Sequence, residues 1–158
     1  MKTLVVYFSR DGHTRTVAQE IATALDADIE EIREFKSRKG ILGWVTAIVD
    51  IMRKNPIHIK PTSIDPTIYD LVVVGTPVWG FTLSPGTRSW LAQHGKNLKK
   101  VAFFVTMGGS GDKRTFTNME ELCGQPPFAA TAFIDKKIEK NEHKPELDVF
   151  LNLLTKEE

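Results

Sequence analysis

The stretch TLVVYFSRDGHTRTVAQEIATAL, residues 3–25, decides the reading of the fold. Residues 3–8 are a continuous apolar run, the pattern of a strand covered on both faces of a parallel sheet. Residues 14–25 then place Val17, Ala18, Ile21, Ala22 and Leu25 at helical spacing. Between them lies a short turn rich in hydroxyls and containing Gly12. A strand end, such a turn and a helix start together make an anion-binding arrangement. The first helical amides lack partners, and the helix dipole favours negative charge at that end. Ser9 and Thr14 offer hydroxyls, and Gly12 permits a positive φ and close backbone approach. The same residues also suit a plain capped turn, and spacing alone leaves both readings open.

Working outward, strands and helices alternate. Residues 28–32 form a weaker, alternating strand suited to a place near an edge. Residues 71–75 (LVVVG) and 101–106 (VAFFVT) are further buried runs, and 130–134 makes a last strand. A helix from about 85 to 94 starts with Ser84 as N-cap and Pro85 at the first helical position. Residues 115–123 are helical until Gly124 and Pro126-Pro127 stop them. Residues 145–154 close as an amphipathic helix with Leu147, Phe150, Leu151 and Leu154 inward. The rhythm predicts a three-layer α/β sandwich with right-handed crossovers. Its five-stranded parallel sheet takes the order 2-1-3-4-5, with ligands beyond the carboxyl ends of strands 1, 3 and 4.

One segment departs from this plan. An inserted helical segment around 36–60 contains a helix over 41–52 whose apolar residues wrap most of the way round. A crossover helix needs only one apolar face. The excess points to a buried loop over the rest or, less directly, to a second packing partner.

The totals bound the function. At 158 residues the chain reads as a single domain, 1–158, large enough for one buried core. A net charge of +1 offers no strong overall field toward nucleic acid or anionic lipid. Basic clusters (Lys36, Arg38, Lys39; Arg53, Lys54; Lys99, Lys100; Lys136, Lys137) are scattered, with acids nearby, and read as solvated faces. A lone cysteine, Cys123, excludes an internal disulfide and reads as an inert buried thiol. His58, His94 and His143 lie in separate elements and make no metal-ligand spacing. Residues 1–8 read as too short for a signal peptide before Ser9-Arg10-Asp11, and the longest uncharged run, 71–87, is broken by prolines and glycines. The expectation is therefore a cytoplasmic protein without a membrane span. Ser9 and Ser110 find no Gly-x-Ser-x-Gly elbow, and no Gly-Lys-Ser/Thr ends the first loop.

Two more strand ends carry unusual loops. The second, residues 76–84, sets Trp79 and Phe81 where polar turn residues are usual; an exposed indole there is a stacking surface for a planar ligand, or else a plug into the core. The third, residues 106–112 (TMGGSGD), is nearly free of side-chain bulk, so its amides can lie against a ligand edge unless it is merely flexible. The conjunction of the three is stronger than any one.

With these motifs the chain resembles the flavodoxin-like family over nearly all its length, the segment between strands 2 and 3 excepted. The family's phosphate loop, Ser/Thr-x-Thr-Gly-x-Thr, is matched by Ser9-Arg10-Asp11-Gly12-His13-Thr14, and its Trp-Gly pair by Trp79-Gly80. The resemblance implies FMN as cofactor, with its phosphate held by residues 9–14 and its ring beside the segment Thr76, Pro77, Val78, Trp79, Gly80. It implies that Thr106, Met107, Gly108, Gly109, Ser110 and Gly111 line the pyrimidine edge, and that the Gly80 carbonyl turns toward N5 on reduction. It implies electron transfer with a redox partner protein or a small-molecule donor or acceptor.

Departures qualify these expectations. Asp11 replaces a phosphate-contacting threonine. A carboxylate about 5 Å from a phosphate charge costs about 3 kcal/mol at an effective dielectric near 20, unless it points away or Arg10, His13 or Arg15 compensates. A branch of flavodoxin-like protoporphyrinogen oxidases is similar in carrying Arg-Asp-Gly here. The third loop also lacks the aromatic that covers the outer flavin face in electron carriers. That leaves room for an alternative, an NAD(P)H-dependent FMN reductase acting on quinones. A further alternative is a non-redox binding protein on the same fold.

Overall fold

The computed structural model describes residues 1–35, 40–53 and 57–156. Lys36, Arg38, Lys39 and Lys54, named above as basic clusters, lie outside the described residues. The elements run β1 (Thr3–Tyr7), α1 (His13–Leu25), β2 (Asp28–Glu31), α2 (Gly40–Arg53), β3 (Leu71–Trp79), β4 (Thr82–Leu83), α3 (Pro85–His94), β5 (Val101–Met107), α4 (Asp112–Cys123), β6 (Ala130–Ile134), α5 (Asp135–Glu139) and α6 (Lys144–Thr155).

The sheet order is β2-β1-β3-β5-β6, all parallel, so the five expected strands take the expected order. The added β4 pairs antiparallel with the end of β3, matching Val78 with Leu83 and Trp79 with Thr82. The strand expected to stop at Gly75 therefore runs on to Trp79, and the expected 76–84 loop is a hairpin. Its turn is Gly80-Phe81, at φ 56° and 62°. Two successive positive φ values fit the right-handed twist of the flanking strands, but a phenylalanine there is uncommon and strained.

Period-two alternation divides the central strands between two cores. Leu4, Val6, Val72, Val74, Phe103 and Val105 pack with Trp90, Leu91 and Met119 of α3 and α4. Val5, Val73, Ala102 and Phe104 pack on the other face with Val17 and Ile21 of α1 and Phe150 of α6. Each fully buried Val, Leu, Ile, Phe or Met among them contributes about 1.5–3 kcal/mol. Ser84 caps α3 as expected, its hydroxyl accepting from the Thr87 amide. Cys123 is buried, and desolvation pushes its thiol up to about 12.

The segment between β2 and β3 corrects one expectation. Among the described residues no loop covers α2: Gly43 and Ala47 are buried, but Ile41, Leu42, Trp44, Val45, Val49 and Met52 are exposed.

Candidate functional site

The carboxyl ends of β1, β3 and β5 are adjacent, because those strands pair side by side. The first loop leaves β1 and enters α1 through Gly12, which sits at φ 100° as the helix N-cap. Ser9 organises the turn: its Oγ accepts from the amides of Gly12 at 3.1 Å and Arg15 at 3.3 Å. Among the described residues, the first two amides of the helix, those of His13 and Thr14, meet no acceptor. Ser9 thus takes the third amide of the helix, while Gly12, the N-cap residue, has no side chain to close over the first two, an arrangement that suits an anion.

The three cations offered by the sequence go different ways. Arg15 donates to Glu31 Oε1 at 2.5 Å. His13 Nε2 lies 2.9 Å from Glu139 and its Nδ1 3.8 Å from Asp135. Arg10 pairs loosely with Asp11 at 3.8 Å and also lines the cleft beside Trp79. Asp11 itself turns outward, its side chain 66% exposed. The sequence reading missed Asp135 and Glu139, because a five-residue helix carries too little periodicity to announce itself. Burial raises the Asp135 carboxyl above the ordinary aspartate range; Glu139 and Asp11 add to the rise and His13 opposes it.

The second segment divides by function. Thr76 is buried and its hydroxyl is engaged with Ser84 and the Pro77 carbonyl, which places it behind the surface. Val78, Trp79 and Gly80 face a cleft of about 490 Å³. Trp79 is held edge-on to Phe8, ring centroids 5.5 Å apart and planes 89° to each other, so its position is fixed by packing. The opposite wall is α2, through Trp44, Ala47, Ile48 and Ile51. The sequence signal for that wall was the surplus of apolar residues in the helix.

The third loop leaves β5 with Thr106 and Met107 buried and Gly108, Gly109 and Ser110 exposed. A methyl group on Gly108 or Gly109 would meet nothing within 4 Å, so their backbone faces open space. One on Gly111 would come within 2.7 Å of Val78 Cγ1, which shows how tightly the second and third loops abut. Thr106 Oγ1 reaches Thr14 Oγ1 at 2.8 Å and closes the ring of loops. Among the described residues no cluster of His, Cys, Asp or Glu could hold a metal ion. None of the helices there is long and apolar enough to cross a membrane.

Known proteins share this arrangement. A family model described as Flavodoxin matches residues 2–149. A flavoprotein from Lactobacillus acidophilus NCFM, crystallised in complex with FMN, is 25% identical, at a TM-score of 0.73 over 88% of this chain and 97% of that one. Two less similar structures share the fold. The two-electron reduced flavodoxin of Megasphaera elsdenii is 21% identical, with a TM-score of 0.56 over 96% of both chains. The flavodoxin of Streptococcus pneumoniae TIGR4 is 15% identical, with a TM-score of 0.60 over 98% of this chain and 97% of that one. No curated relative matches the chain.

Proposed function

Because the chain belongs to the flavodoxin family, we propose that it binds FMN at the ends of β1, β3 and β5 and transfers electrons. The observation that carries this reading is the pair of acceptor-free amides, His13 and Thr14, on the strand end next to the one bearing Trp79. The residues fit the group. The amides and the Ser9 turn suit a phosphate, the partly buried indole suits a flat ring, and the open Gly108-Gly109 backbone suits a polar ring edge.

In this reading residues 9–14 hold the phosphate and Trp79 supports the ring. The Gly80 carbonyl would be placed to turn toward N5 on reduction, and the amides of 106–111 would line the pyrimidine edge. FMN, when bound, supplies one- and two-electron redox chemistry; the protein fixes and tunes it. Arg10, the cation that lines the cleft, supplies positive charge where Asp11 supplies negative. Thr76 and Pro77 act from behind by bracing the hairpin, since the Thr76 hydroxyl is already bonded and Pro77 has no N–H to donate.

A second reading is favoured by the cleft itself. Its wall of α2 residues makes an apolar slot beside Trp79 and Gly80, with room for a flat substrate such as a quinone. That is the form of an NAD(P)H-dependent reductase. One experiment separates the readings. The FMN-reconstituted protein is mixed with NADPH without oxygen or any other reductase. Bleaching of the flavin indicates the reductase; an unchanged spectrum that bleaches only when a reductase protein is added indicates the carrier. A protein that stays colourless after FMN addition and desalting contradicts both.

A further inference from the structure

We propose that Trp44 of α2 covers the second face of the flavin ring, so that the ring is held between two indoles, Trp79 and Trp44. Such a role rests on FMN binding at this site. The cleft joins the two ends of the site, since Arg10 of the phosphate turn and Gly80 of the hairpin both line it. Phosphate at the one and ring at the other place the ring in the cleft. Its volume of about 490 Å³ lies within the roughly 300–1,000 Å³ of small-molecule sites. Val78 and Trp79 form one wall, and α2 forms the other.

The pattern of α2 fits this role. Trp44, Ala47, Ile48 and Ile51 fall at i, i+3, i+4 and i+7, one stripe of the helix, and all four line the cleft. The stripe is set close to the hairpin, for a methyl group on Gly80 would lie 3.5 Å from Ile51 Cγ2. Ala47 is buried and Ile48 and Ile51 are half-buried, whereas Trp44 is 56% exposed. The indole is the member of the stripe that protein atoms leave most open, and a flat ring against it would remove that surface from water. The third loop offers no rival cover. Gly108, Gly109 and Ser110 carry no side chain broad enough for a ring face, and Gly111 abuts Val78 and Phe81. That loop suits a ring edge, and α2 supplies the face. Among the described residues Arg10 is the one charge that lines the cleft, so the wall opposite Trp79 is apolar, as an uncharged ring requires. A ring so placed fills the slot that the second reading gives to a substrate.

The test joins FMN affinity to the emission of the bound flavin. Trp44→Ala should weaken FMN about two- to tenfold, and Trp44→Phe should keep most of the affinity. Because the side chain is so exposed, both variants should keep the circular dichroism of the parent. An indole against an excited flavin quenches it by donating an electron, which a phenyl ring does not. Trp79→Phe should therefore leave the bound flavin quenched, through Trp44, and Trp79→Phe/Trp44→Phe should restore its emission several-fold. A loss of affinity by mere misfolding would not produce that pattern. Unchanged affinity in Trp44→Ala, or emission fully restored by Trp79→Phe alone, overturns the proposal and leaves FMN binding intact. A parent protein that binds no FMN overturns both.

Discussion

Thr14 Oγ1 and Thr106 Oγ1 lie 2.8 Å apart in the interior, joining the first turn of α1 to the end of β5. Both side chains are buried, so neither hydroxyl has water to fall back on. Thr14→Val or Thr106→Val alone strands the other hydroxyl and should cost about 1–3 kcal/mol in urea unfolding. The double Val variant removes both polar groups and should recover part of the loss, giving a non-additive cycle. FMN affinity should fall in both single variants, because the bond sets the distance between the first and third loops.

Asp11 points to solvent, which changes the size of its expected penalty. A carboxylate so exposed is screened, and such charges contribute at most about 1 kcal/mol. Asp11→Asn should tighten FMN by about two- to fivefold, far less than the repulsion at close range inferred from sequence. Arg10→Ala should weaken it. Fluorescence titration at low and high salt checks both, the differences shrinking as salt rises.

Trp79→Ala should weaken FMN by about 1–3 kcal/mol, about 5- to 150-fold, through lost ring contact. Its edge-on contact with Phe8 positions the indole. Phe8→Leu should therefore give a smaller loss of affinity in the same titration, with the fold intact by circular dichroism.

Much of this was legible in residues 3–25 and in the apolar runs that follow. Buried parallel strands announce themselves by composition, and five of them with intervening helices admit few topologies. The hairpin at Gly80-Phe81 was not legible, since a two-residue strand exists only through its pairing with Trp79 and Val78. Nor was the role of His13. Its position in the phosphate-loop motif marks it as a candidate cation, yet a nonlocal partner, Glu139, takes the ring. The exposure of α2 was misread because sequence hydrophobicity cannot tell an inward face from one awaiting a partner.

Glu20 ties α1 to the start of α6 and makes stability depend on pH. Burial raises its carboxyl, but hydrogen bonds from Lys144 and His143 outweigh that together, and its pKa lies below the ordinary 4.5. His143 Nε2 sits 2.6 Å away and the Lys144 ammonium 2.5 Å. A depressed folded-state pKa means the contribution is intact above 4.5 and fades as pH falls through the folded value. Glu20→Gln should lower stability at neutral pH and flatten its decline between about pH 5 and 3, measured by thermal unfolding across that range.

The uncovered third loop and the modest acidity near the cleft bear on the reduced cofactor. Less repulsion against a reduced, anionic ring should place the low-potential couple above about −400 mV, the level of plant-type ferredoxins. A redox titration of the reconstituted protein gives the value directly.

The most direct measurement is a titration of FMN with the apoprotein, followed by the flavin's own fluorescence. A ring resting on Trp79, with its phosphate at the amides of His13 and Thr14, predicts quenching that saturates at one FMN per chain. Riboflavin, which lacks the phosphate, should bind much more weakly. Unquenched FMN at excess protein, or equal binding of riboflavin, would contradict the account.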